Sequence, residues 1–195
     1  MTGRAFLFGK LPAHGDFVAR GLSPQEQSAW DDWASAGLER ARSSLGDGFE
    51  EAHDAAPPWR FITMHGGGWR LGSLACSVDG AGRRFVLVLG LADLNTAEAM
   101  ALGVRGAEAV EAILYDALVS RTAADAAVET LRTGVFVDPT DVEALDLLSP
   151  SPAADGVWWT LGGERHPPRV IPAAEPPPDL LLTVLECASQ LEMAT

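Results

Sequence analysis

RRFVLVLGL, residues 83–91, decides how the rest of this 195-residue chain must fold. Its apolar side chains occupy both parities, and a strand sends successive side chains to opposite faces of its sheet. A strand that is apolar on both parities has to be covered on both faces. The stretch therefore demands a sheet with other elements packed against each side.

Two more β-rich runs lie just upstream, WRFITM (59–64) and WRLGSLACSV (69–78). His65-Gly66-Gly67-Gly68 separates the first pair, and Asp79-Gly80-Ala81-Gly82 leads into 83–91. Such short glycine-containing connections suit hairpins, which predicts three antiparallel neighbours. RAFLF (4–8) reads as a short buried strand ended by Gly9 and Pro12, and VWWTL (157–161) as a late strand.

Helical periodicity fills much of the remainder. Ser23 is the expected N-cap of a helix from Pro24 to about Leu45, with Trp30, Trp33, Ala34, Leu38, Ala41 and Leu45 on one face. Residues 96–132 are rich in Ala and Glu and read as one helix, residues 140–148 as a short one, and Asp179 to about Met193 as a final amphipathic one. Gly46–Pro58 reads as a loop, and the proline-rich piece from Pro167 to Pro178 as a tether across the surface. In this order the elements predict a single domain over 1–195, with helices on both faces of a central, largely antiparallel sheet.

Composition narrows the function. Hydrophobic residues make up 47% and charged residues 21%, as in an ordinary globular chain. A net charge of −13 repels a phosphate backbone, which argues against nucleic acid and anionic membranes as partners. The apolar run at the N-terminus is too short for a signal-peptide core, and no stretch is long enough for a membrane-spanning helix, so the expected location is the cytoplasm. Cys76 and Cys187 stand in apolar contexts far apart in sequence and read as buried thiols.

The segment FLFGKLPAHGDFVAR (6–20) holds the only lysine of the chain, Lys10, and a His14/Asp16 pair. A phosphate loop would need GxxxxGK followed by Ser or Thr; here Leu11 and Pro12 follow Lys10, and proline removes a backbone donor. His14 and Asp16 could form an acid/base pair, with Asp79 or Arg83 as further members of a small hydrolase site. A solvated or turn-capping role is the competing reading for His14 and for His53, His65 and His166, which lie in Gly- or Pro-rich surroundings. No GxSxG, HExxH or paired-cysteine spacing occurs, and neither a metal nor a cofactor is expected. Trp158 and Trp159 must point to opposite faces of their strand, so one of them, Trp159, is a candidate for a half-exposed contact surface.

Taken in order, FGKLPAHGDFVARGL (8–22), the Trp30–Trp33 pair in SAWDDW, APPWRF (56–61), SVDGAGRRFVL (77–87) and WWTLGG (158–163) resemble the TagF family of type VI secretion-associated proteins. The blocks follow the family's order from about residue 6 to 163. Ala13-His14 stands where many members have Ser-Arg, and Val86 where Pro is usual.

The resemblance implies a three-layer α/β/α sandwich and a non-enzymatic, post-translational repressor of type VI secretion. Its implied partner is a forkhead-associated scaffold protein of the secretion system; a structural accessory subunit of the machine is the other non-enzymatic possibility. For the 6–20 turn, the residues leave two readings open, a partner surface or a brace for the fold. Its expected shape is set by Gly9, Pro12 and Gly15, with Phe17 packed inward. Lys10, His14, Asp16, Arg20, Arg83 and Trp159 are the candidate partner-binding residues. On the surface reading, Lys10→Glu is expected to abolish scaffold binding with the melting temperature nearly unchanged.

Overall fold

The computed structural model describes residues 3–134, 155–163 and 166–189, with side chains described as far as 185. Seven strands form one sheet: β1 (Arg4–Gly9), β2 (Val18–Arg20), β3 (Trp59–His65), β4 (Gly68–Val78), β5 (Arg84–Leu94), β6 (Gly156–Thr160) and β7 (Arg169–Pro172). Their order across the sheet is β2-β1-β5-β4-β3-β6-β7, and every pairing is antiparallel. Among the described residues five α-helices accompany them: α1 (Pro24–Leu45), α2 (Phe49–Ala55), α3 (Thr96–Val119), α4 (Ala124–Gly134) and α5 (Leu180–Ser189).

The double-sided apolar run behaves as its pattern demands. Leu87, Leu89 and Leu91 of β5 enter a core with Leu102, Val110 and Leu114 of α3 and with Ala127 and Leu131 of α4. Val86, Val88 and Ala92 enter a second core with Trp30, Ala34 and Leu38 of α1, Phe49 of α2, and Leu181 and Leu185 of α5. Each fully buried Leu or Val of this strand contributes about 1.5–3 kcal/mol of transfer free energy, so β5 anchors both cores.

Local chemistry sets the element ends. Ser23 Oγ accepts from the Glu26 amide while Glu26 reaches back to the Ser23 amide, a capping box with Pro24 in the first turn. Asn95 and Glu98 repeat the device at the start of α3. The β3–β4 hairpin turns through Gly66 and Gly67, both at positive φ (61° and 85°), as a two-residue hairpin with the twist of its strands requires.

Several expectations change. Gly46–Pro58 is not all loop: a single 3-10 turn (Gly46–Gly48) leads into α2, which is held by burial of Phe49, Ala52 and His53. The run 96–132 is not one helix: α3 is kinked at Gly103, which takes φ 48° and ψ −147°, and it is separated from α4 where Arg121 takes φ 52° and the Thr122 amide donates back to the Ala117 carbonyl. Within the supposed tether, residues 169–172 form the edge strand β7. Because the Ala173 amide donates to Gly156, the backbone of Val170 and Pro172 faces away from β6, and Pro172 sits where the ladder needs no N–H. The expected helix at 140–148, and the end of the last helix beyond Ser189, lie outside the described residues.

Candidate partner-binding site

The 6–20 segment leaves the sheet at Gly9, whose φ is +126° and where a Cβ would stand 2.0 Å from the Val86 carbonyl oxygen. Only glycine fits that approach. Lys10 remains tied to the sheet: its amide donates to the Val86 carbonyl (3.0 Å), and the Lys10 carbonyl accepts from Ser77 Oγ (2.7 Å). Leu11 is fully buried, Pro12 follows, and the His14 amide closes a turn onto the Leu11 carbonyl at 2.9 Å. Gly15, by contrast, has open space around its Cα and no positive φ, so nothing in the backbone demands glycine there.

Asp79, at the start of the β4–β5 turn, is the hub. Its Oδ1 accepts from the amides of Ala81 and Arg83, both at 2.9 Å. Its Oδ2 accepts from Arg83 Nε at 2.6 Å and lies 3.2 Å from Lys10 Nζ. Burial alone would push this carboxyl up, but the donors of Arg83, Lys10 and Ala81 override it and hold Asp79 far below the usual carboxylate range. Arg83 then reaches across with Nη2 to the Gly15 carbonyl (2.7 Å), and the Gly80 amide donates to the His14 carbonyl (2.6 Å). The N-terminal turn and the hairpin tip are thereby one rigid unit.

On its other flank the unit grips α4. His14 Nε2 accepts the Ala124 amide at 3.1 Å, which leaves the proton of the neutral ring on Nδ1. Arg20 Nε donates to Asp125 Oδ1 at 2.6 Å.

The candidate residues divide accordingly. Lys10 is 6% exposed and spends its ammonium on Asp79 and on the Phe17 ring, whose centroid is 4.9 Å away. Trp159 is also buried, in the core with α3 and α4, while Trp158 fills the other core; with β7 outside it, β6 is covered on both faces. Neither Lys10 nor Trp159 presents its side chain to a partner in this conformation. Asp16 and Arg83 are exposed, and His14 and Arg20 half-buried. His14 and Asp16 share no hydrogen bond among those of the described residues: Asp16 Oδ1 accepts from the Phe17 amide (2.8 Å) and lies 3.8 Å from Arg83 Nη2. The other histidines are not all solvated. His53 Nε2 donates to the Phe85 carbonyl (2.7 Å) and His166 Nε2 to the Val184 carbonyl (2.9 Å), both buried; burial, against that bond, lowers the His53 pKa.

Phe17 reverses its expectation. It is 45% exposed, one edge packed on Phe85 with ring centroids 4.6 Å apart and a second contact to Phe8 at 6.3 Å. The sheet ends before it can cover the ring. Beside it, Lys10 and Arg83 line an open cleft of about 650 Å³ between the hairpin tip and the junction of α1 with α2, with Arg42 and Arg84 as its further cations. Arg42 and Phe17 carried no sequence signal of their own, since each reads as part of a helix face or a core.

The family described as TagF N-terminal domain, Type VI secretion system-associated, matches residues 6–135. The chain belongs to the TagF family. Those residues hold the turn, the Asp79 hub, the cleft and α4, so the geometry above lies within this TagF domain. The fold is similar to that of the crystal structure of PA0076 from Pseudomonas aeruginosa PAO1, with a TM-score of 0.69, 24% identity and 93% of each chain covered. No curated protein sequence matches significantly. Among the described residues, no helix is long and apolar enough to cross a membrane, and no three His, Cys, Asp or Glu side chains are grouped to hold a metal ion.

Proposed function

We propose that this TagF chain is a post-translational negative regulator of type VI secretion that works in the cytoplasm by binding a forkhead-associated scaffold protein of the secretion system. Family membership supports the secretion context. We read the two helix-covered faces of the sheet as the three-layer α/β/α sandwich of that family, a rigid support for a surface turn.

One observation carries the choice of surface. Phe17 is a large aromatic ring left 45% exposed on a turn that Asp79, Arg83 and Lys10 hold in place. An aromatic ring fixed before binding loses little side-chain entropy on association, and aromatic residues, Phe among them, are enriched at protein interfaces relative to the rest of the surface. Asp16 and Arg83 beside it supply a charged rim.

The test is binding of the purified scaffold protein to wild type, Phe17→Ala and Asp16→Arg, with melting temperatures measured alongside. The expected result is binding by wild type and at least a tenfold weaker complex for Phe17→Ala, whose melting temperature stays within a few degrees. Wild-type affinity in Phe17→Ala would move the interface elsewhere. No complex with wild type would remove the scaffold as the partner.

A further inference from the structure

The open cleft beside this turn gathers cations in a chain that is short of them. Arg42, Arg83 and Arg84 are three of its 14 Lys and Arg residues, and they line one space together with two acids, Asp47 and Glu50, and with Lys10, whose buried ammonium is committed to Asp79. We propose that the cleft is a binding site for a phosphoryl dianion, a group of the phosphomonoester class.

The cations are held in place from behind. Asp79 fixes Lys10 and Arg83, and Asp54 grips Arg84 through Nε and Nη2 at 3.0 and 2.8 Å. The Arg42 guanidinium lies over Phe49, its Cζ 4.7 Å from the ring centroid, with no ion pair among the described residues. Its N–H edges are therefore available to an acceptor. Groups already fixed in this way lose little freedom when an anion arrives.

The acids around them, Asp79 buried and Asp54 and Glu50 exposed, neutralise much of this charge, which decides both affinity and ligand class. Glu50, exposed on the cleft wall, already lies 3.0 Å from Arg84 Nη1. It is a tethered carboxylate at high effective concentration, and a free monoanion competes poorly with it. A phosphoryl group brings about two charges and three acceptor oxygens, enough to engage more than one guanidinium and displace an exposed surface pair. The expected dissociation constant for the isolated ion is on the order of 1 mM.

This inference does not depend on the scaffold reading, and its probes are different. Isotope-labelled protein is titrated with inorganic phosphate, against sodium chloride at matched ionic strength, and followed by amide and arginine side-chain shifts. Saturable shifts are expected at Arg42, Asp47, Gly82 and Arg83. Arg42→Glu, an exposed position, is expected to weaken binding at least tenfold without loss of fold, and Glu50→Gln to tighten it severalfold. A second arm compares a short phosphothreonine peptide with its unphosphorylated form. Tighter binding of the phosphopeptide than of phosphate would assign the group to a modified protein, and equal binding to a free small molecule. Identical shifts with chloride, or unchanged affinity in both Arg42→Glu and Glu50→Gln, would overturn the proposal.

Discussion

The ammonium of Lys10 lies 3.2 Å from the carboxylate of Asp79, with 8% of one side chain exposed and none of the other. The two residues are 69 positions apart, yet they join the turn after β1 to the turn after β4. A cation in this setting is part of the fold, because water cannot replace the partner it would lose.

The consequence is that Lys10→Glu cannot separate binding from folding. Two carboxylates would face each other inside the protein, and breaking a buried pair from one side is strongly destabilising. Lys10→Glu and Asp79→Ala are each expected to lower the melting temperature by roughly 10 °C or more. Lys10→Met, which introduces no second carboxylate, still leaves Asp79 paired with Arg83 and should lose less. Thermal melts of the three variants decide the matter; a Lys10→Glu protein melting like wild type would place the ammonium in solvent.

Stability at acid pH should be governed in part by Glu26. Its Oε1 lies 2.8 Å from Arg70 Nη2 and 3.0 Å from Arg4 Nη2, while Oε2 accepts the Ser23 amide at 2.8 Å. Burial alone would raise this carboxyl, but the bonds from Arg4 and Ser23 outweigh it and hold the pKa at about 2, against 4.5 for an unperturbed group. A depressed folded-state pKa means that the stabilisation is complete above the unfolded value and disappears as pH falls through the folded one. The melting temperature should thus decline from about pH 4.5 to about pH 2, with Asp79 adding to the loss in the same direction. Glu26→Gln is expected to cost on the order of 1–2 kcal/mol near neutral pH, allowing for solvent screening, and to flatten part of the acid decline. A pH series of melts on both proteins would show it; parallel curves would deny Glu26 this role.

Much of the fold was legible because a few stretches carried their physics locally. Val86–Leu91 announced burial on both faces, Ser23-Pro24 announced the start of α1, and the glycines at 66–68 and 80–82 announced hairpins. α2 was hidden by the Gly46–Gly48 and Pro57-Pro58 punctuation around it, since a seven-residue helix depends on the core beneath Phe49 and His53. The break between α3 and α4 was hidden by uniform Ala-rich composition; it is made by a left-handed Arg121, which propensity does not foretell. At the site, the turn was identified, but Lys10 and Phe17 exchanged roles. By residue type a charged side chain reads as surface and an aromatic one as core, and the tertiary contacts to Asp79 and Phe85 decide otherwise.

His14 supplies the last test, because it acts on a helix far away in sequence. Its Nε2 accepts the amide of Ala124, the first residue of α4, as a capping side chain does for an unpaired amide at a helix start. Truncation to Ala removes that acceptor while Arg20 still holds Asp125 at 2.6 Å. The expected cost is about 1 kcal/mol, the usual worth of an N-cap. Its location is more diagnostic than its size. Hydrogen exchange should quicken at the first turn of α4 and remain unchanged in α1 and in the β3–β4 hairpin, because only the capped amides open locally. His14→Asn, which offers a shorter acceptor, should recover part of the protection. Faster exchange spread evenly over the whole protein would instead make His14 a general packing residue, and the link between the N-terminal turn and α4 would have to run through Arg20 alone.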